Sequence, residues 1–193
     1  SRMNAPNKLS DSLQDKFSNA FEQMQELEKG AIANPDENQM VGHYWLRNPT
    51  LAPTEKIQKQ INNTLDNIQQ FAADIHQKKI KPQKSAQFRN VLALGMGGSA
   101  LGPQLIHSAL GSQGNPMRFY FIDNTDPDGI DRVISSIGKG LAETLILIIS
   151  KSGGTVETRN AMIEVRECFS SVGLDFARHA VAISAENSQL TQL

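Results

Sequence analysis

Residues 145–158 read LILIISKSGGTVET and residues 91–103 read VLALGMGGSALGP, and these two stretches decide the fold. In each, a short apolar run rich in branched side chains is followed by small and hydroxyl residues, and then by apolar residues at helical spacing. This order is typical of a buried parallel strand that leads into a helix. The first N–H groups of such a helix lack partners within it and lie at the positive end of its dipole, so each junction favours an anion.

The junction that follows residue 149 is rich in groups that suit a terminal phosphate. Hydroxyls can donate to phosphate oxygens, glycines leave the backbone accessible, and Lys151 adds a positive charge. The alternative is a Ser- and Thr-rich turn that only caps a helix. The predicted phosphate ligands are Ser150, Lys151, Ser152, Gly153, Gly154, Thr155 and Thr158.

The junction at residues 95–100, GMGGSA, admits two interpretations. It fits the dinucleotide pattern of two glycines followed by Gly or Ala, and Asp123 stands where such a fold places its ribose-binding acid. An NAD-dependent dehydrogenase therefore stays open at this point. The second, hydroxyl-rich junction argues against it, because a pyrophosphate site has no need of that junction. Neither junction ends in the Gly-Lys-Ser or Gly-Lys-Thr of a P-loop, which disfavours nucleotide hydrolysis.

Taken together, the motifs from Gly95 to Pro103 and from Ser150 to Thr158 resemble those of the glucose-6-phosphate isomerase family, whose two lobes are sugar isomerase (SIS) domains. The resemblance covers roughly residues 88–193. It implies an α/β fold with a three-layer, Rossmann-like parallel sheet. We expect residues 1–84 to form an N-terminal helical extension and residues 85–193 to form the first SIS-type domain, with the sheet continuing beyond residue 193.

The function that this resemblance implies is the interconversion of glucose 6-phosphate and fructose 6-phosphate by ring opening and proton transfer through an enediol. It places the glutamate base and its histidine, lysine and arginine partners beyond residue 193, so no catalytic residue is expected here and Glu157 is supporting at most. Gly97, Gly98 and Ser99 are expected to line the sugar. A homodimer without a cofactor is implied. The alternative within SIS proteins is a phosphomannose-type isomerase or a sensor that binds without turnover.

Composition limits the possible partners. The 193 residues carry 19 Lys and Arg against 20 Asp and Glu, without a basic stripe of the kind that binds nucleic acid. No apolar run approaches the ~20 residues of a membrane span, which argues against a membrane partner. The four histidines lack metal-ligand spacing, so no metal is expected. A single cysteine, Cys168, fits a reducing compartment, and we expect a cytoplasmic protein.

Hydrophobic periodicity predicts the order of elements. Strands are expected near 91–95, 118–122, 144–149 and 180–184, with helices near 100–110, 126–137 and 155–170. Asp126 is predicted to cap its helix, with Pro127 at the first helical position and Gly138 at the end.

The N-terminal part predicts two amphipathic helices. The first is expected to begin with Ser10 as its cap and to close at Gly30, and the second to open after Thr54. Their apolar stripes are expected to pack on the sheet domain or on a neighbouring subunit. Trp45 lies in the predicted loop between the helices, and we interpret it as a core anchor.

Overall fold

A computed structural model describes residues 9–36, 38–112 and 114–192. The chain divides into two compact units, Ser1–Ala72 and Ala73–Leu193. The helices are α1 (Leu9–Glu28), α2 (His43–Arg47), α3 (Glu55–His76), α4 (Gly98–Leu110), α5 (Pro127–Ile137) and α6 (Val156–Ser171). The strands are β1 (Ile32–Asn34), β2 (Gln39–Met40), β3 (Asn90–Leu94), β4 (Arg118–Ile122), β5 (Thr144–Ile149) and β6 (Ala180–Ile183). Short 3-10 helices span Pro49–Leu51, Gly138–Glu143, Phe176–Arg178 and Gln189–Gln192.

The first unit is organised around Trp45, which is 4% exposed. Its indole Nε1 donates a hydrogen bond of 2.9 Å to the carbonyl of Glu28 and so ties α2 to the end of α1. The interpretation of Trp45 as a core anchor is confirmed, since the ring is buried and its N–H has the partner that a buried indole needs. The prediction of a loop around it is wrong, because a short helix holds the ring.

The ends of the N-terminal helices agree only in part with the sequence. α1 already contains Ser10, so the prediction of Ser10 as its cap is wrong. α1 ends at Glu28, and Gly30 follows with a φ of +96°, a left-handed conformation suited to glycine. The predicted start after Thr54 is confirmed, since Thr54 Oγ1 accepts from the backbone N–H of Ile57 at 3.3 Å. The antiparallel pair of β1 and β2 was not predicted.

The second unit contains a parallel four-stranded sheet in the order β4-β3-β5-β6. The predicted α/β class is confirmed, and each predicted strand agrees with the observed bounds to within one residue. Asp126 caps α5 by accepting from the N–H of Gly129, Pro127 is the first helical residue, and Gly138 ends the helix, as predicted.

The core of this unit lies where α5 and α6 pack on the sheet. The strand residues Leu92, Leu94 and Ile146 are each 0% exposed, as are Val165 and Phe169 of α6. β3 is buried at every residue and β5 is buried or half-buried at every residue, which explains why both read as unbroken apolar runs. From β3 the chain moves to one side of the sheet to form β4, whereas the connections that contain α5 and α6 move to the other side. Because such crossovers are right-handed, α4 lies on the face of the sheet opposite to α5 and α6.

A buried histidine ties the start of this unit to the sheet. His179 is 1% exposed; its Nε2 accepts from the N–H of Gln83 at 3.3 Å, and its Nδ1 lies 2.9 Å from the carbonyl of Thr144. Because Nε2 accepts, Nδ1 carries the proton and donates it. Burial lowers the pKa of His179 below its ordinary value.

In the described part of the chain, no helix has both the length and the apolar character needed to span a membrane.

Candidate functional site

The candidate site lies where β5 ends. Residues 150–155, which we call the cradle loop, connect β5 to α6. Ser150 is only 2% exposed, and its Oγ accepts from the backbone N–H of Gly153 at 3.1 Å. The same Oγ lies 3.0 Å from Thr155 Oγ1. The Ser150 hydroxyl thus links the start of the cradle loop to its middle, at Gly153, and to its end, at Thr155.

These contacts set the direction of the hydroxyl protons. Ser150 Oγ already accepts from Gly153, and its own proton is buried, so donation to Thr155 Oγ1 is the arrangement that leaves no buried donor unpaired. The half-buried Thr155 hydroxyl then keeps its own proton for another acceptor. In this arrangement the Gly153 N–H donates to Ser150, Ser150 donates to Thr155, and the Thr155 proton is left for a ligand.

Ser152 repeats this pattern nearer the surface. Its Oγ accepts from the N–H of Gly154 at 3.2 Å, and the side chain is exposed. Since a hydroxyl can accept and donate at once, Ser152 retains a donor on the solvent side. Lys151, next to it, is exposed and brings a positive charge to the loop. The loop thus combines outward donors with a cation, which is what a phosphate requires.

α6 begins at the end of the cradle loop without a side-chain cap. Thr155 occupies the N-cap position but makes no capping hydrogen bond, and its hydroxyl contacts Ser150 Oγ. The first N–H groups of α6 therefore remain for a ligand or for solvent. Glu157 stands in this first turn and is exposed, where a carboxylate interacts favourably with the helix dipole.

Thr158 lies deeper than the other predicted ligands. It is 2% exposed, and its Oγ1 has no hydrogen-bond partner within the described chain. It lines a cavity of about 200 Å³ together with Ser150, Thr155 and Gln189. Direct contact between Thr158 and a ligand stays a prediction.

The second junction lies at the end of β3. Gly97 has a φ of +53°, and an added Cβ at Gly97 or Gly98 would meet no atom within 4 Å, so the space beside both glycines is open. Ser99 is half-buried in the first turn of α4, which also begins without a side-chain cap. This second helix N-terminus offers further backbone donors beside accessible space.

The sheet topology brings the two junctions together. β3 and β5 are neighbouring parallel strands, with Leu94 paired to Ile148, so both junctions leave the same edge of the sheet. From there the chain turns toward β4 after β3 and toward β6 after β5. Such a divergence opens a crevice above the strand ends, which is the usual ligand position in parallel α/β sheets.

Asp123, the acid of the dinucleotide interpretation, is engaged in local contacts. Its Oδ2 accepts from Gln104 Nε2 and its Oδ1 accepts from Asn124 Nδ2, both at 2.9 Å. The carboxylate thus connects α4 to the end of β4.

Among residues 9–36, 38–112 and 114–192, no group of three or more His, Cys, Asp or Glu side chains is placed to hold a metal ion.

Sequence reasoning missed the segment that lies behind the cradle loop. Ser184 Oγ donates to the carbonyl of Ser150 at 2.6 Å, and the N–H of Ala185 donates to the carbonyl of Lys151 at 3.1 Å. No local motif marks these residues. Only the pairing of β5 with β6 could have suggested that the segments following the two strands meet.

Comparison with known proteins agrees with this architecture. A family model described as phosphoglucose isomerase matches residues 4–193. Curated relatives named glucose-6-phosphate isomerase include those of Desulfitobacterium hafniense (strain DSM 10664 / DCB-2), 54% identical, and Nostoc punctiforme, 51% identical, each over 193 residues. Both alignments cover 100% of this chain but only 36% and 37% of the relatives, so the chain spans little more than a third of their length.

A solved structure shares the fold. The crystal structure of a glucose-6-phosphate isomerase from Chlamydia trachomatis is 26% identical and superposes with a TM-score of 0.79, covering 96% of this chain and 36% of that one. The match of the family model and the identity of the relatives extend over both junctions of the candidate site. The chain therefore belongs to the phosphoglucose isomerase family.

Proposed function

We propose that this chain provides the phosphate-binding part of an aldose–ketose isomerase that interconverts glucose 6-phosphate and fructose 6-phosphate. The observation that carries the proposal is the position of the Ser150 hydroxyl, which accepts from the Gly153 N–H and lies 3.0 Å from Thr155 Oγ1. With Ser150 as the donor of this pair, the Thr155 hydroxyl proton remains for a ligand at the end of the cradle loop, where α6 begins without a side-chain cap. Membership of the family and the names of the relatives support the choice of substrate.

In this proposal the cradle loop holds the phosphate. Ser152 and Thr155 donate hydroxyl protons to phosphate oxygens, the first amides of α6 add backbone donors, and Lys151 balances the charge. Ser150 acts by organising the loop, because its own hydroxyl has partners on both sides. Hydrogen bonds to a charged oxygen are each worth about 1.5–3 kcal/mol, so a few of them suffice for recognition.

The junction after β3 takes the sugar. Gly97 and Gly98 leave room for it, and Ser99 supplies a half-buried hydroxyl beside it. With the phosphate at the end of β5, the sugar extends along the crevice to the end of the neighbouring strand β3. Neighbouring strands are about 4.8 Å apart, which is within the length of a hexose phosphate.

The residues of this chain bind and orient the substrate, and the proton transfer between C1 and C2 is assigned to groups outside it. Glu157 is in the wrong setting for a base: it is exposed and stands in the first turn of α6. A general base acts from within hydrogen-bond reach of the carbon-bound proton, in a site closed to water. We assign Glu157 a supporting role.

A cytoplasmic location and a homodimer belong to the same proposal. The single Cys168 fits a reducing compartment such as the cytoplasm. The homodimer follows from the resemblance to the family, and sedimentation of the purified protein tests it.

The proposal is tested by calorimetric titration of the chain with glucose 6-phosphate, fructose 6-phosphate, inorganic phosphate and NAD. We expect both sugar phosphates and phosphate to bind and to raise the melting temperature, because each binds only the folded state. NAD is expected not to bind. Saturable NAD binding that is lost in Asp123→Ala, without binding of sugar phosphates, would replace the isomerase proposal with the dehydrogenase alternative.

A further inference from the structure

The segment that follows β6 lies directly behind the cradle loop. We call residues 184–190 the support segment. Ser184 Oγ donates to the carbonyl of Ser150 at 2.6 Å and lies 3.4 Å from the carbonyl of Lys151. The backbone N–H of Ala185 also donates to the Lys151 carbonyl, at 3.1 Å. The support segment therefore bonds both carbonyls at the entrance of the cradle loop, and the Ser150 carbonyl also accepts from the N–H of Gly153, at 3.2 Å.

The support segment is itself well anchored. The Ser184 and Ser188 hydroxyl oxygens lie 2.7 Å apart, and Ser188 is 7% exposed. Leu190, at its end, is 9% exposed and belongs to the hydrophobic core. Ser184 thus makes its bonds from a fixed position.

The two segments are in close contact at Gly153. A Cβ added at Gly153 would lie 2.8 Å from the N of Leu190 and 2.9 Å from the N of Gln189, both backbone atoms. Gly153 also has a φ of +70°. The cradle loop therefore lies on the backbone of the support segment with no room for a side chain between them.

Holding these carbonyls also fixes the amides that follow them. A trans peptide is planar, with its C=O and N–H on opposite sides. When the carbonyls of Ser150 and Lys151 are directed at the support segment, the N–H groups of Lys151 and Ser152 are turned to the other side of the loop. Backbone amides turned outward in succession favour an anion.

We infer that Ser184 is a positioning residue for anion binding, which acts by fixing the peptide plane that follows Ser150, next to the plane at Lys151 that the Ala185 N–H holds, so that the amides of both planes face a phosphate. The inference rests on the proposed function of the cradle loop. It extends the site to a residue that does not touch the ligand and that belongs to a different strand connection.

The test compares Ser184→Ala with Ser184→Thr in the 193-residue chain. Calorimetry gives the Kd for inorganic phosphate and for glucose 6-phosphate, and NMR follows the amides of Lys151 and Ser152. We expect the Kd for both ligands to rise about fivefold to tenfold in Ser184→Ala, as for the loss of one hydrogen bond, and to return within about twofold of wild type in Ser184→Thr, which retains the hydroxyl.

The control is Ser170→Ala. Ser170 is exposed and its Oγ donates to the carbonyl of Arg166 at 2.9 Å within α6, so this variant also removes a hydroxyl-to-carbonyl bond. Its Kd is expected to match wild type. The shifts that phosphate causes at the amides of Lys151 and Ser152 should shrink only in Ser184→Ala, a result that a general loss of stability does not produce.

The outcomes separate the two claims. If wild type binds phosphate and Ser184→Ala binds it equally well with unchanged amide shifts, the positioning role is overturned and the proposed function stands. If wild type binds neither phosphate nor sugar phosphate, the proposed function fails and the positioning role fails with it. Should Ser184→Ala lack a cooperative melting transition, Ser184→Cys, whose thiol is a weak donor of similar size, decides: wild-type affinity in that variant overturns the inference.

Discussion

Ser150 Oγ lies 3.0 Å from Thr155 Oγ1, and this contact closes the turn between β5 and α6. Thr155, which occupies the N-cap position, makes this contact and does not cap its own helix. A side chain that would ordinarily satisfy the first N–H groups is held by the loop instead. The first N–H groups of α6 are thus left without a side-chain cap next to the carboxyl end of β5.

The first prediction concerns the double variant Ser152→Ala, Thr155→Ala. It removes both outward hydroxyl donors of the cradle loop, each worth about 1.5–3 kcal/mol toward a charged oxygen, so phosphate binding should weaken at least about a hundredfold. Calorimetric titration with inorganic phosphate measures this. Ser136→Ala, whose hydroxyl donates to Val133 in α5, is the control and should bind as wild type does. Near-wild-type affinity of the double variant would mean that the loop only ends a strand and starts a helix.

The second prediction compares two adjacent glycines. Gly153→Ala places a Cβ against backbone atoms at a φ of +70°, so we expect a loss of about 2 kcal/mol or more in the free energy of unfolding. Gly154→Ala makes only ordinary van der Waals contacts, the nearest with the flexible end of Gln189 at 3.4 Å, and should change the free energy by less than about 0.5 kcal/mol. Denaturant unfolding measures both. Equal effects would show that the close contact at Gly153 does not constrain the loop.

The sheet and its helices could be predicted because their signals are local. The apolar runs ending at Leu94 and Ile149 are buried strands, and Asp126 with Pro127 marks a helix start by chemistry confined to one turn. The short pair of β1 and β2 escaped prediction because strands of three and two residues are too short to show a period.

Contacts between distant residues left no local signal. The buried ring of His179 needs a partner for its Nε2, and the N–H of Gln83, 96 residues earlier, supplies it. Likewise Ser184 reaches Ser150 only because β5 and β6 are paired. The cradle loop could be proposed from its residue types, whereas the different roles of Ser150, Thr155 and Thr158 depend on burial that the sequence does not reveal.

The third prediction concerns Thr158→Val. The Thr158 hydroxyl is buried without a partner in the described chain, which costs about 1–3 kcal/mol, and valine has the same shape without the hydroxyl. We expect the variant to raise the melting temperature by about 2–4 °C per kcal/mol recovered, and its phosphate affinity decides whether the hydroxyl also contacts the ligand. Differential scanning calorimetry and phosphate titration measure the two effects. A loss of phosphate affinity would instead place this hydroxyl among the ligands, as the sequence predicts.

The fourth prediction concerns pH. Because burial lowers the pKa of His179, the unfolded chain takes up a proton at a pH where the folded chain does not, and the free energy of unfolding falls as the pH drops below about 6.5. Protonation would also remove the Nε2 acceptor used by Gln83. The melting temperature should therefore be lower at about pH 5.5 than at about pH 7.5.

Two variants check the origin of this pH dependence. His179→Gln should be less stable at neutral pH and should lose the part of the pH dependence that comes from this residue. His76→Gln, at the exposed end of α3, should keep it. If His179→Gln retains the full decrease between the two pH values, another group is responsible.

The last prediction concerns Glu157 and catalysis. The carboxylate is exposed to solvent in the first turn of α6, and we assign it a supporting role rather than that of the base. We expect the 193-residue chain to bind glucose 6-phosphate through the phosphate and to catalyse no exchange of the C2 proton with solvent above background. General-base catalysis alone commonly supplies a factor of about a hundred to ten thousand, so its absence is easily measured. Exchange in D₂O followed by NMR detects enediol formation even when net conversion is slow. Exchange by the chain that stops in Glu157→Gln, while phosphate binding persists, would place the base at Glu157 and overturn this assignment.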